Sequence, residues 1–166
     1  MIRLAIESDL DAIFTLVKHC NKDMRSKGLE QWPDWYPDKN DLLKDIKTSD
    51  LYLAEKNQEI IGIIVLDPEV PKEYNTIKWR FTSGPVNSIH RLAVHPKKKT
   101  PGLAKELVTY VEKIANENGY NIIRLDTYSK NIAADKFYRK MGYQYAGDIN
   151  LKFMPEHYHC FEKALN

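Results

Sequence analysis

Apolar residues recur at two different spacings near the start of the chain. Over residues 2–6 they alternate with polar residues, which predicts a short β-strand with one buried face. Ser8 and Asp9 follow, and both are residue types that cap helix N-termini. The next apolar positions have the i, i+3, i+4 spacing of one helical face: Ile13, Leu16 and Val17.

The following stretch predicts one helix and one hairpin between two irregular segments. Residues 28–37, GLEQWPDWYP, are aromatic and twice interrupted by proline, so we expect a loop there. A helix is predicted over residues 40–47, and residues 51–55 and 60–66 are predicted to form a β-hairpin. Residues 67–85 contain three prolines and little periodicity, which predicts an irregular connection.

Strands alternate with helices in the second half of the chain. The predicted strands cover residues 89–94, 122–127, 143–146 and 159–164. Between them lie a helix with Thr100 as N-cap and Pro101 at its first position, ended by Gly119, and a second helix over residues 131–141. The buried face of the first helix is formed by Leu103, Leu107, Val111, Ile114 and Ala115. This order indicates an α/β fold whose middle strands run parallel.

The composition is that of one globular domain. Of 166 residues, 43% are hydrophobic and 29% charged, a balance typical of a folded protein. No repeat, low-complexity tract or linker divides the chain, so we expect a single domain over residues 1–166. The 25 Lys and Arg residues nearly balance the 23 Asp and Glu residues, which argues against a nucleic-acid-binding protein.

The sequence also predicts a cytoplasmic protein that does not enter a membrane. The first apolar stretch contains charged residues, unlike a signal peptide, and no run approaches the roughly 20 apolar residues that span a bilayer. The two cysteines, Cys20 and Cys160, are far apart in sequence, and we expect both to be free thiols.

Residues 92–107, LAVHPKKKTPGLAKEL, place a strand, a basic loop and a helix start in succession. A helix N-terminus offers unpaired backbone N–H groups and partial positive charge, and small residues such as Gly102 and Ala104 let a phosphate approach it. Positive charge around it comes from Lys97, Lys98, Lys99 and Lys105. The pattern predicts a phosphate-bearing ligand, although a lysine run can also be simply solvated. It matches neither the Walker spacing nor the three-glycine dinucleotide fingerprint.

This segment resembles motif A of the GCN5-related N-acetyltransferases, the GNAT family, in its strand, Val-x-Pro, basic residue and Gly-x-Ala helix start. Residues 131–143, NIAADKFYRKMGY, resemble the second signature of that family. Lys99 stands where the family usually has Arg or Gln, and Thr100-Pro101 replaces Gly-Lys, which removes one amide donor. The resemblance implies a GNAT-type mixed central sheet with splayed parallel middle strands, flanked by helices, and acetyl-CoA as co-substrate.

The resemblance implies a set of backbone contacts with acetyl-CoA. The backbone of Leu92, Ala93 and Val94 is expected to follow the pantetheine arm, as in strand addition. The pyrophosphate is expected to contact the segment formed by Lys99, Thr100, Gly102, Leu103, Ala104 and Lys105. Asn131 matches the Asn of the family that touches the pantetheine arm, and it is equally suited to be a helix N-cap.

Three residues are expected to carry the chemistry. The resemblance makes Tyr138 the proton donor to the CoA sulfur, and a phenol with a reference pKa near 10 can serve as an acid. The Leu92 N–H is expected to bind the thioester carbonyl oxygen. His90 is the candidate base, because IHRLAVH is similar to the corresponding strand of arylalkylamine N-acetyltransferases and residues 90, 92 and 94 would share a strand face. A buried tyrosine, a structural histidine or a water relay remain the alternatives.

The acceptor is expected to be a primary amine, on a small molecule, an antibiotic, a polyamine or a peptide. Trp32, Trp35 and Tyr36 fall where the family builds its acceptor pocket, although they could instead cover the edge of the core. His157 and His159 share a strand face but Cys160 points away and no further ligand is suggested nearby, so no metal site is predicted. The family resemblance is also compatible with a homodimer. The alternative function is a catalytically silent acetyl-CoA-binding sensor or interaction module.

Overall fold

The computed structural model describes residues 1–98, 100–151 and 154–166. The strands are β1 Ile2–Leu4, β2 Leu51–Lys56, β3 Glu59–Asp67, β4 Val86–Val94, β5 Ile122–Tyr128, β6 Gln144–Ile149 and β7 Tyr158–Ala164. The helices are α1 Leu10–Ser26, α2 Lys39–Lys47, α3 Leu103–Glu117 and α4 Ile132–Lys140. Over the described residues the strands form one mixed sheet in the order β1-β2-β3-β4-β5-β7-β6. The predicted α/β class is confirmed. None of these helices combines the length and apolar composition needed to cross a bilayer.

The described residues group into two compact units by their internal contacts. The first unit contains Met1–Leu66 and Arg91–Val111, and the second contains Asp67–His90 and Glu112–Asn166. Strand β4 and helix α3 therefore contribute residues to both units.

Antiparallel pairing of β1 with β2 and of β2 with β3 forms the sheet of the first unit. The apolar faces of α1 and α2 pack into the core of this unit, where Ile13, Leu42, Leu53 and Ile63 are fully buried. A short 3-10 turn, Glu7–Asp9, precedes α1. Asp9 takes the N-cap position without bonding a helix amide, because its carboxylate instead accepts from the Arg3 guanidinium and the Ile6 N–H.

Parallel pairing of β4 with β5 and antiparallel pairing of β5 with β7 and β6 form the sheet of the second unit. The predicted irregular connection after β3 contributes to the core of this unit. It forms a 3-10 turn over Lys72–Thr76, and Tyr74 on this turn is 1% exposed. Fully buried Glu162 on β7 accepts the N–H groups of Arg80 and Phe81, which holds the end of the connection against β7.

Candidate functional site

Strand β4 contains one left-handed residue, Arg91, which has a φ of 50°. The parallel ladder with β5 pairs Val86 with Ile122 and continues to Ile89 with Leu125, and β4 then extends to Val94. A left-handed residue within a strand acts as a bulge and breaks the alternation of side chains. The assumption that residues 90, 92 and 94 share one strand face is therefore wrong. The pattern of side chains alone does not reveal a bulge at an arginine.

The turn before α3 has the geometry of an anion site. The Leu103 N–H donates to the Thr100 carbonyl at 3.1 Å, and the first helical bond runs from Glu106 N–H to the Gly102 carbonyl at 2.9 Å. Among the described residues no acceptor is seen for the N–H groups of Ala104 and Lys105, as expected for a first helical turn. These two amides lie in the first turn of a 15-residue helix and suit a phosphate.

This turn also corrects the predicted start of the helix. Thr100 and Pro101 lie in the turn, and α3 begins at Leu103. The reason is Gly102, whose φ of 82° is left-handed and cannot belong to a right-handed helix. Lys99, which was also predicted to hold the pyrophosphate, lies outside the described residues.

His95 organises the basic loop that precedes this turn. Its Nδ1 accepts the backbone N–H groups of Lys97 at 3.1 Å and Lys98 at 3.2 Å, and the backbone N–H of His95 donates to the Ile61 carbonyl at 2.8 Å. Two donors at Nδ1 require that this nitrogen carries no proton. Burial, followed by the charge of Lys98, lowers the pKa of His95, which agrees with a neutral ring. The Lys98 ammonium pairs with Glu59 at 2.6 Å.

The three strand residues expected to contact the pantetheine arm lie between the bulge and this loop. Ala93 is buried in the core of the first unit, and Leu92 and Val94 are half-buried. The Val94 carbonyl accepts from the Cys20 thiol at 3.3 Å, and burial raises the pKa of Cys20 to about 12, so the thiol keeps its proton. One lone pair of the Val94 carbonyl is thus used, and a carbonyl oxygen has two.

His90 lies at the end of the β4 segment in the second unit. Its Nε2 is 2.7 Å from the Ser88 hydroxyl, whose oxygen is 3.1 Å from the Glu69 carbonyl. The Ser88 hydroxyl and the His90 Nε2 are hydrogen-bonded, with a direction set by the tautomer of the ring.

Tyr138 on α4 is a buried tyrosine, 7% exposed, with its ring against Phe137, Tyr143 and Phe161. Burial raises the pKa of Tyr138 well above its ordinary value of 10, and the charge of Asp126 raises it further. The phenol is therefore fully protonated at neutral pH. This state is required of an acid, and it is equally compatible with a structural tyrosine.

Asn131 is the N-cap of α4. Its Oδ1 accepts the Ala134 N–H at 3.1 Å, so the helix-capping role is confirmed, while a contact with the pantetheine arm stays a prediction. Asp126 on β5 was not predicted as part of any site. Its carboxylate accepts the Tyr74 hydroxyl at 2.5 Å, and burial raises its pKa to about 6. The available signal was a single carboxylate within the apolar strand IIRLDTY.

The three predicted acceptor residues have different environments in the first unit. Trp32 is 8% exposed and belongs to the core, so its assignment to the acceptor pocket is wrong and the core alternative holds. Trp35 is 65% exposed and lies edge-on to Tyr36, with ring centroids 6.1 Å apart. The Arg91 guanidinium lies 5.4 Å from the Tyr36 ring centroid, and its Nε is 3.4 Å from buried Asp45 on α2. Sequence reasoning missed this Tyr36–Arg91–Asp45 cluster.

Comparisons with known proteins agree with this architecture. Residues 11–143 match the model of the Acetyltransferase (GNAT) family. A curated relative, the uncharacterized N-acetyltransferase YesJ of Bacillus subtilis (strain 168), is 28% identical over 165 residues, which cover 97% of this chain and 88% of YesJ.

Two solved structures illustrate the similarity of fold. A GNAT-family acetyltransferase from Streptococcus agalactiae 2603 superposes with a TM-score of 0.85 at 24% identity, over 100% of this chain and 95% of the other. The structure of yncA from Salmonella typhimurium, solved with its cofactor acetyl-CoA, has a TM-score of 0.72 at 17% identity, over 100% of this chain and 94% of that one.

Proposed function

Since this chain belongs to the GNAT acetyltransferase family, we propose that it transfers the acetyl group of acetyl-CoA to a primary amine of its acceptor. The observation that carries the proposal is the turn from Thr100 through Gly102 into α3. This turn presents the amides of Ala104 and Lys105 at a helix N-terminus beside the basic loop. A diphosphate-bearing co-substrate fits such a site.

Acetyl transfer to an amine needs a polarised thioester, a neutral nucleophile and a proton for the leaving thiolate. In our proposal the Leu92 N–H binds the thioester carbonyl oxygen, where negative charge develops in the transition state. His90 removes the proton of the attacking amine, directly or through water. Tyr138 donates its proton to the CoA thiolate. The amine nitrogen forms a bond to the acetyl carbon while the carbon–sulfur bond breaks, so the products are an amide and CoA thiol.

Trp35 and Tyr36 are the proposed acceptor contacts of the first unit. Trp35 is exposed, and the Arg91 guanidinium makes a cation–π contact with the Tyr36 ring. An exposed aromatic surface suits an acceptor with an apolar or cationic body. Trp32 is excluded from this surface because it lies in the core.

The alternative function is an acetyl-CoA-binding module without turnover. Such a module would need the phosphate turn but neither a base nor an acid, and the presence of both Tyr138 and His90 favours an enzyme. The two functions differ in one measurable quantity, which is the release of CoA thiol in the presence of an amine.

The test combines binding and turnover on the full chain. At a hundredfold excess over Kd, acetyl-CoA should stabilise the protein by about 2.7 kcal/mol, which raises Tm by roughly 5–10 °C for a chain of this size. Acetyl-pantetheine is the matched control ligand. It lacks the nucleotide and the diphosphate, so its shift should be clearly smaller. Thiol release across a panel of amines, with mass spectrometry of the acetylated product, then identifies the acceptor.

Each outcome of this test bears on one part of the proposal. Equal shifts with acetyl-CoA and acetyl-pantetheine would contradict the phosphate site. An acetyl-CoA shift without thiol release for any amine in the panel would favour the silent binding module.

A further inference from the structure

Asp148, His157 and His159 lie together in the second unit, at the β6–β7 pair. Asp148 on β6 is the ladder partner of His159 on β7, and His157 lies two residues before His159. Because side chains alternate along a strand, His157 and His159 point to the same face, and the residue opposite His159 joins them there. The sequence did not reveal Asp148 as a neighbour, since only the strand register brings it opposite His159.

The three side chains have the spacing of metal ligands. The Nε2 atom of His157 is 3.6 Å from Asp148 Oδ2, and the Nε2 atom of His159 is 3.8 Å from Asp148 Oδ1. One ligand atom from each residue lies within 4.8 Å of both others. In a tetrahedral site with bonds of about 2.1 Å, two ligand atoms are about 3.4 Å apart. The observed distances are close to this value, and small side-chain rotations would reach it.

The tautomer of His159 is set by a further carboxylate. Its Nδ1 is 3.0 Å from Asp135 Oδ2 on α4, and Asp135 is itself held by Arg139, at 2.7 Å. A carboxylate accepts, so the His159 Nδ1 carries a proton, which leaves Nε2, on the side of Asp148, as the nitrogen that can bind a metal. A histidine that donates to a carboxylate through one nitrogen and binds a metal through the other is a recurrent arrangement in metal sites.

Asp148 is oriented in the same way. The Tyr145 hydroxyl donates to Asp148 Oδ1 at 2.7 Å, which fixes one carboxylate oxygen. The ligand side chains are 24–44% exposed, so an ion and a water molecule can reach them from solvent. Each of two ligands thus has an outer hydrogen-bond partner, a feature that a chance ion pair does not require.

We propose that Asp148, His157 and His159 form a binding site for a divalent transition metal of the zinc type, with a water molecule as fourth ligand. Two imidazoles and one carboxylate suit Zn²⁺ or Co²⁺, whereas Ca²⁺ and Mg²⁺ prefer oxygen ligands alone. None of the three ligands has a role in the proposed acetyl transfer. The ion would tie β6 to the residue that precedes β7 and would stabilise the folded second unit by mass action.

The test is a Zn²⁺ titration of the full chain, with any affinity tag removed and metals first stripped by a chelator. We expect one equivalent to bind in competition with a chromophoric chelator, and Zn²⁺ to raise Tm. His157→Gln and His159→Gln should each weaken binding by more than about tenfold, and Asp135→Asn by about 10- to 100-fold although it removes no ligand. His19→Gln is the matched control, because it removes an exposed imidazole from helix α1.

Co²⁺ provides a second readout that does not depend on stability. A bound Co²⁺ should show d–d bands of a four-coordinate ion without a thiolate charge-transfer band, because Cys160 is fully buried and is not a ligand. Three outcomes would overturn the site. They are metal binding that survives His159→Gln, a thiolate charge-transfer band, and wild-type binding no tighter than that of the His157→Gln/His159→Gln double variant. If one histidine variant unfolds, Asp135→Asn and the other histidine variant still decide the question.

Discussion

Burial holds Tyr138 and His95 in their neutral forms, although it moves their pKa values in opposite directions. The neutral phenol is the acid form of Tyr138, so a raised pKa keeps its proton available. The neutral imidazole is the base form of His95, so a lowered pKa keeps Nδ1 free to accept two loop amides. At this scale the same physical effect keeps the proton on the proposed acid, Tyr138, and keeps it off the Nδ1 that holds the loop.

Replacing Tyr138 by Phe should reduce turnover by about 10²- to 10⁴-fold, the usual contribution of a general acid. The Kd for acetyl-CoA should change little, because the ring packing against Phe161 is kept. Steady-state kinetics and acetyl-CoA titration measure the two effects separately. Tyr143→Phe is the matched control, since Tyr143 is also buried and its hydroxyl bonds Glu112 rather than a reacting group. Turnover reduced equally in both variants would assign Tyr138 a structural role.

Acidification should weaken acetyl-CoA binding through His95. The pKa of His95 in the folded protein lies below the ordinary 6.5. Neutral His95 therefore contributes its full stabilisation of the loop above pH 6.5, and this contribution is lost as the pH falls through the lower, folded pKa. Protonation at Nδ1 would break both hydrogen bonds to the loop amides, a loss on the order of 1 kcal/mol, or about fivefold in affinity. The neighbouring charges are His19 on α1, Glu59 on β3 and the loop residues Lys97 and Lys98.

The control for this effect is His95→Asn, whose side-chain oxygen can accept the same amides without titrating. Affinities measured between pH 7.5 and 5 should fall more steeply for the wild type than for His95→Asn. Parallel curves for the two proteins would show that the pH dependence arises elsewhere, for example in the phosphates of the ligand.

At the scale of elements, the turn between β4 and α3 depends on one left-handed residue. Gly102 has a φ of 82°, and an added Cβ would meet no atom within 4 Å, so only backbone strain opposes a side chain there. The same is true of Gly28 after α1, with a φ of 76°, and of Gly119 after α3, with a φ of 83°. These three glycines therefore provide a matched set in which position alone differs.

Each Gly→Ala change in this set should lower the free energy of unfolding by about 1 kcal/mol, the typical cost of a left-handed alanine. Only Gly102→Ala should also weaken acetyl-CoA binding, because it alone disturbs the proposed phosphate turn. Urea unfolding and acetyl-CoA titration of the three variants test this prediction. If Gly28→Ala or Gly119→Ala weakened acetyl-CoA binding as much as Gly102→Ala, the loss of affinity would come from lower stability of the whole protein and not from the Gly102 turn.

At the scale of the whole molecule, the chain contains two free and buried thiols, one in each unit. Cys20 is 7% exposed and Cys160 is fully buried, and burial raises the pKa of both. A thiol reagent reacts with exposed thiolate, so neither cysteine should react in the folded protein. The thiol-release assay should therefore report CoA without a background from the protein.

The same thiols report on the cooperativity of unfolding. If the chain is one cooperative domain, as its composition predicts, Cys20 and Cys160 should become reactive at the same urea concentration, together with the loss of helical circular dichroism. The single variants Cys20→Ser and Cys160→Ser assign each reaction. A thiol that reacts at a clearly lower urea concentration than the other would show that the two units unfold separately.

Local pattern was sufficient for most elements and for recognising the proposed phosphate-binding segment. The i, i+3, i+4 spacing on α1 and the apolar runs of β2 and β3 determine these elements, because each needs one face to leave water. The segment from Leu92 to Lys105 was recognisable because its strand, basic loop and small residues are contiguous. The start of α3 was misplaced by two residues, since the φ of Gly102 depends on the turn it forms.

Only the tertiary structure decided which distant residues meet. The Arg91 bulge, the burial of Trp32, the Tyr74–Asp126 bond and the position of Asp148 beside two histidines all depend on strand register or on packing between segments far apart in sequence. The pattern of residues along the chain predicts which side chains are buried, but it does not predict which distant residues they contact. For that reason the sequence alone determined most elements and the proposed helix-start anion site, while the burial of Trp32, the Arg91 contact with Tyr36 and the proposed metal site emerged only from the folded chain.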